Sequence, residues 1–348
     1  MASAASPAGA RARRAARIAF VAAVASVLLT GCGLFAAAPA PPGHGGKVAS
    51  PKSPGPVEVR GNAAPTPTGL GGAFAVTVDN DPYARPQSGL SRADLVFEAP
   101  AEGGITRFLA VFWSQAAHQI GPVRSTRIYF DQLAQSYDLP LAHAGGNVDA
   151  LKAIGPLHIS NIDEIWTPGA APFFYRTSAR PAPHNLYTST SLIVKAIHSL
   201  GLALGPVPAW SRGQVSGGKA ASLLVIDFSG VEQARWQYAG GMYTRYEGAT
   251  EDKTLAGNPI RARAVVVLFV GEAPDPDPYT PLSIKLLMTG QGKGEVAADG
   301  RLLPVVWKRT EGQPFQILAA NGTTPQALPA APVWIELVPT GTPVSTTG

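Results

Sequence analysis

One cysteine in 348 residues removes whole classes of chemistry at the outset. A single thiol gives no disulfide framework and no cysteine-ligated zinc. Signature motifs of common enzymes are missing too. There is no G-x-S-x-G elbow and no H-E-x-x-H, and no two of the six histidines stand at helical ligand spacing. Gly213 to Lys219 spells G-x-x-x-x-G-K, but Ala220 stands where a magnesium-binding hydroxyl belongs, and an apolar run follows the loop instead of preceding it. The apolar run from Ile18 to Leu29 is shorter than the ~20 residues a helix needs to cross the hydrocarbon core.

Acidic residues are absent before the cysteine, whereas Arg11, Arg13, Arg14 and Arg17 precede the apolar run. Positive charge, a short apolar stretch and small residues make a secretory signal of residues 1–31. Leu29-Thr30-Gly31-Cys32 resembles a bacterial lipobox, in which cleavage leaves the cysteine lipidated. Cys32 is therefore expected to carry a palmitate-type lipid anchor at the outer face of the cytoplasmic membrane. The signal also explains the basic composition. Removing residues 1–31 takes four arginines and no acid, so 28 basic against 23 acidic residues becomes 24 against 23. A nearly neutral remainder excludes nucleic acid as the expected partner.

Residues 32–72 are rich in proline, alanine and glycine with few bulky apolar side chains, and read as a tether. Beyond it the sequence predicts an α+β protein: a mixed α/β N-terminal domain (73–204), a linker (205–220), a smaller, mostly antiparallel β domain (221–338) and a flexible tail (339–348). In the first domain, strands are predicted over 73–80, 93–100 and 105–113, the last two joined as a hairpin by Ala101-Glu102-Gly103-Gly104. Helical spacing follows Gly121-Pro122, and the segment 188–201 has hydroxyl residues at its start, an apolar stripe and a terminal glycine. Short β-rich runs separated by Gly, Pro, Asp and Asn fill the second domain. Asp275 and Asp277 alternate with prolines and predict a rigid exposed loop, with a calcium site as the alternative.

Charged residues in the first domain interrupt apolar strands. Glu98, Glu102 and Arg107 lie in or beside the hairpin, and an interior charge needs a partner, so Arg107 is expected to pair with Glu98 or Glu102. Arg124, Ser125 and Arg127 stand at a predicted helix start, where free N–H groups and guanidinium forks suit an anion. The plainer reading makes Ser125 an N-cap and leaves both arginines in solvent or in salt bridges. His143, before a Gly-Gly turn, and His184-Asn185, in a loop before a helix, are the remaining candidates for a shared cleft.

Several segments, DNDPYARPQSGLSRADLVFEAPAEGGITRFLAVF, IGPVRSTRIYFDQLA, HAGGNVDAL and PHNLY, resemble the successive motifs of the YerB-like bacterial lipoproteins. The region from about Leu223 to Val338 is similar to that family's separate C-terminal domain. Pro100 and Ala101 depart from the smoother apolar pattern expected there. The resemblance implies a two-domain extracytoplasmic lipoprotein of unknown activity and supplies no reaction. Two functions follow as expectations. One is a non-catalytic protein, without cofactor or metal, that binds an anionic cell-wall component or a wall-synthesis partner. The other is an envelope hydrolase or transferase with His143 or His184 as base, Glu98 or Glu102 as acid, and an arginine clamp.

Overall fold

The computed structural model describes residues 69–348 apart from Pro276. The signal peptide, Cys32 and nearly all of the tether lie outside these residues. Only the tether's end is seen, where the Leu70 amide bonds the Trp113 carbonyl at 3.0 Å.

The first segment forms β1 (Phe74–Asp79), β2 (Leu95–Pro100), β3 (Thr106–Phe112), β4 (Leu141–His143), β5 (Asn161–Asp163), β6 (Tyr175–Arg176) and β7 (Leu186–Tyr187). Its helices are α1 (Ile128–Ser136), α2 (Val148–Ala153) and α3 (Thr190–Ser199). The hairpin β2–β3 forms as expected, and β3, buried at every position, lies between β2 and β1. Ser189 caps α3 by accepting from the Leu192 amide, and Gly201 follows at a φ of 67°.

The second segment supplies β8 (Lys219–Ala220), β9 (Leu223–Asp227), β10 (Gln233–Ala239), β11 (Met242–Glu247), β12 (Thr250–Glu251) and β13 (Arg261–Ala262). It continues with β14 (Ala264–Pro274), β15 (Ile284–Leu287), β16 (Gly290–Ala298), β17 (Arg301–Arg309), β18 (Gln316–Ala319), β19 (Val333–Pro339) and β20 (Val344–Thr347). Most of its pairings are antiparallel, but β19 runs parallel to both β14 and β2. Strands of both segments therefore share one twelve-stranded sheet, ordered β18-β17-β16-β14-β19-β2-β3-β1-β4-β5, with β15 added beside β14 and β8 beside β17. A second sheet, β12-β11-β10-β9-β20, lies over one face.

Sheet alternation sends Phe97, Leu109 and Val111 to one face, where Tyr129, Phe130 and Leu133 of α1 cover them. Val76, Phe108 and Phe112 point to the other, under Ile193 and Ile197 of α3 and Trp236 of the second sheet. Trp334 joins that layer, edge-on to Trp236 with ring centroids 5.0 Å apart.

Three expectations are corrected. The 205–220 segment packs along the fold: Trp210 meets Trp113 edge-on at 6.2 Å, and Val215 is buried. The tail, expected to fray, ends in β20, which pairs with β9 and so satisfies its backbone groups. The Asp275–Asp277 loop is docked, since Asn147 donates to Asp275 and the Val148 amide to Asp277, each at 2.8 Å.

Candidate functional site

Strands β1, β4 and β5 run parallel and end on Asp79, His143 and Asp163. Ligands of open α/β sheets gather outside such carboxyl ends. Residues 123–126 thread between these strands. The Arg124 amide bonds the Thr77 carbonyl at 3.1 Å, and the Thr126 amide bonds the Gly145 carbonyl at 2.9 Å. Glycine is required where the segment begins. A Cβ on Gly121, at φ 143°, would sit 2.8 Å from the Leu186 carbonyl oxygen and 2.9 Å from the Tyr187 ring.

Asp79 is fully buried and accepts from Arg124 Nε at 3.1 Å and His184 Nδ1 at 2.8 Å. Burial opposes its charge, but Arg107, Arg124 and the bonds from His184 and Asp81 outweigh burial and hold its carboxyl below the usual range. Arg107, paired in register with Asp79, is also buried. Its Nη1 donates to the Ser125 carbonyl at 3.1 Å, while its Nε has no partner among the described residues. Burial first, then the neighbouring Arg127 charge, lowers its pKa to about 10.

Arg127 is committed elsewhere. It is the N-cap residue of α1 without a side-chain cap bond, and its Nε meets Glu102 Oε1 at 2.6 Å. Although burial raises the pKa of Glu102, the bond and charge of Arg127 bring it down to about 2. The helix thus starts two residues later than a Ser125 cap would give, and Ser125 contributes its carbonyl instead of a cap. Thr126 Oγ1 bonds Asp131 Oδ1 at 2.6 Å, and burial pushes Asp131 up to about 8.

The other candidates separate. His143 is walled in, with Nδ1 2.8 Å from the Gly145 carbonyl and Nε2 2.6 Å from Asn161 Oδ1, so both ring nitrogens are occupied. Asn185 braces its own hairpin through Thr177 and Arg176, each at 3.2 Å. Glu98 points to the opposite face of the sheet. Its register partner on β3 is Phe108, one residue beyond Arg107, and side chains alternate, so the expected Glu98–Arg107 pair cannot form. Glu102 does not bond Arg107 either.

Glu98 enters a cluster that sequence reasoning missed. Arg245 from β11 reaches it at 2.8 Å, lies over the rings of Phe108 and Trp334 at 5.3 and 5.6 Å, and also meets Glu247 and Asp252. Glu336, opposite Glu98 on β19, is driven well above the ordinary carboxyl range by burial and by the Glu98 charge. Near the surface Arg85 bonds Glu232 at 2.6 Å, and a cavity of about 360 Å³ opens beside Arg85, Glu232 and Glu247. Burial and Glu247 raise Glu232 to about 8. Oxygens of Glu98, Glu232 and Glu247 lie within 4.8 Å of one another, a spacing that suits a metal. Arg85 and Arg245 already occupy these carboxylates, however, which favours an internally neutralised network. Spacings of 147 residues between Glu98 and Arg245, and between Arg85 and Glu232, leave no local signal in the sequence.

Comparison with known proteins places the chain. A family model described as "Protein of unknown function (DUF3048) N-terminal domain" matches residues 63–203, and the corresponding C-terminal domain matches residues 224–335. The chain belongs to this family. It is 32% identical over 280 residues to the "Putative lipoprotein YerB" of Bacillus subtilis (strain 168), covering 76% of this chain and 80% of that protein. The crystal structure of the YerB protein from Bacillus subtilis is similar at a TM-score of 0.71 and 28% identity, over 81% of this chain and 97% of that one. Both family segments map onto strands of the shared large sheet.

Proposed function

We propose that this DUF3048 protein is a lipid-anchored extracytoplasmic binding protein whose ligand presents an anionic group to Arg107 and Arg124, as a cell-wall component would. The observation that supports this reading most is Arg107. Around the α1 start, the guanidiniums of Arg107, Arg124 and Arg127 face the carboxylates of Asp79 and Glu102. Asp131 does not supply the missing charge at neutral pH, because its carboxyl is pushed up to about 8. One buried guanidinium is left with a single backbone bond, and burying an unmatched charge is costly. An anion bound beside the α1 N-terminus would remove that cost.

Titration with inorganic phosphate and with wall fragments tests the reading. Arg124→Ala or Arg107→Met should each weaken binding by about 1.5–3 kcal/mol, roughly 10- to 100-fold, and added salt should weaken it further. Equal affinities for wild type and both variants would end it. Anchoring is tested separately. The Cys32→Ala variant should be released from the membrane fraction by carbonate extraction, whereas the parent should stay; retention of both would remove the lipid anchor from the proposal.

A second reading draws on the Asp79–His184 pair. Asp79 orients the imidazole through Nδ1 and leaves Nε2 4.0 Å from Asp81, outside bonding distance. That arrangement suits a general base. Turnover of wall fragments that disappears in His184→Gln, with phosphate binding intact, would favour it over the binding protein.

A further inference from the structure

We propose that the anion held at Arg107 and Arg124 belongs to an oligosaccharide whose sugar rings stack on Tyr83 and Trp166. The inference rests on the anion site proposed above and names the class of its ligand. Tyr83 is 77% exposed and Trp166 69% exposed, yet both stand on well-tied turns. The Tyr83 amide bonds Asp81 Oδ1 at 2.9 Å, and Arg180 clasps the Ala84 and Pro86 carbonyls just beyond. The Tyr83 ring lies against His184, with centroids 6.1 Å apart, and so borders the Asp79–Arg124 centre directly.

Trp166 occupies the other end of the same edge. It follows Asp163, the last residue of β5, whose Oδ1 accepts from the Ile165 amide at 2.9 Å and whose carbonyl accepts from the Thr167 amide at 3.1 Å. Gly145, at φ 65°, has no Cβ where Ile165 Cδ1 lies over the turn, which lets this loop close onto the strand ends. The path from β1 to β5 crosses two strand spacings, about 10 Å, within the reach of a short glycan.

The chemistry between the two rings favours sugar over protein. Glu164, Arg176 and Asn185 lie there, joined by bonds of 3.2 Å, and present carboxylate, guanidinium and amide groups near the surface. Such groups match the hydroxyl pattern of a sugar, while tyrosine and tryptophan offer flat, apolar yet hydrogen-bonding surfaces for its C–H face. A protein partner would require a contiguous apolar core. Here the exposed Tyr83, Ile165, Trp166 and Tyr175 are interspersed along their loops with the bonded polar groups of Glu164, Arg176 and Asn185. The near balance of 24 basic and 23 acidic residues after residue 31 gives no electrostatic footprint for nucleic acid.

The test uses the full chain in detergent. It compares an array of phosphate- and carboxylate-bearing oligosaccharides, their neutral counterparts, acidic peptides and inorganic phosphate. At least one anionic oligosaccharide should bind tenfold or more tighter than phosphate and than its neutral counterpart. Tyr83→Ala and Trp166→Ala should each reduce that affinity about tenfold and leave phosphate binding unchanged, while Arg124→Ala should weaken both. Phosphate binding that is undiminished in the aromatic variants, with no gain from any sugar or with acidic peptides bound as tightly, would overturn the glycan and spare the anion site. Loss of all anion binding would overturn both.

Discussion

Arg245→Ala should destabilise the fold by about 3–5 kcal/mol, the range for removing one partner of a buried ion pair. Arg245 and Glu98 are both fully buried, and Arg245 also neutralises Glu247 and Asp252 while lying over Phe108 and Trp334. Its removal leaves Glu98 and Asp252 between the two sheets without a bonded cation, and leaves Glu247 only Arg85, at 3.4 Å. Glu336 adds to the cost, since its raised pKa reflects burial and then the Glu98 charge, and its Oε2 has no hydrogen-bond partner among the described residues. Urea unfolding followed by tryptophan fluorescence measures the effect directly, because Trp236 and Trp334 line the same layer. The double variant Arg245→Met/Glu98→Gln should recover part of the loss. A shift below about 1 kcal/mol for Arg245→Ala would show that the cluster is hydrated and outside the core.

Asp131→Asn should gain stability relative to wild type as pH rises. The Asp131 carboxyl is buried beneath the α1 start and its pKa is raised from 3.8 to about 8, with burial the leading cause. Between these two values the folded protein binds more protons than the unfolded chain, so unfolding releases a proton and wild-type stability falls with rising pH. The asparagine variant lacks that proton. The difference between the two should widen in favour of the variant by up to about 1.4 kcal/mol per pH unit across pH 5–7 and level off above pH 8. The amide introduced by the substitution would keep an oxygen to accept from Thr126, as Asp131 Oδ1 does at 2.6 Å. Parallel melts at pH 5, 6, 7 and 8 measure the slope, and a constant difference across them would mean that Asp131 is ionised in the fold.

Apolar runs bounded by polar and glycine turns placed β1, β2 and β3, and capping chemistry placed α3, because these signals act over a few residues. The same locality misled at Arg107. Its nearest carboxylates in sequence, Glu98 and Glu102, were the natural partners, yet the pleat sends Glu98 to the other face and Arg127 holds Glu102. The turn residues of 205–220 suggested a linker, and a strand as short as β8 has no pattern of its own.

The candidate site divides in the same way. Arg124, Arg127, Ser125 and His184 were visible as polar residues in glycine- and proline-marked turns. Asp79 was legible only as the polar end of the strand predicted over 73–80. Its role as the shared partner of Arg124 and His184 depends on bringing together residues 45 and 105 positions apart. His143, one of the two candidate bases in the sequence, proved enclosed, since the groups that occupy it belong to its own turn and to β5.

By itself, the sequence determined the arginine-led apolar leader, the lipobox-like Cys32, the balance of charge after residue 31, the apolar strand runs and the family motifs. Each is composition or a repeat over a short window, so no contact had to be known. Only the tertiary structure decided that β19 inserts between β14 and β2, which merges strands of both family segments into one sheet. It alone made Arg245 the centre of a buried carboxylate cluster and left Arg107 without a bonded counter-charge. The physical reason is that ion pairing and burial depend on distance in space, and strand pairing between distant segments sets those distances without leaving a local trace.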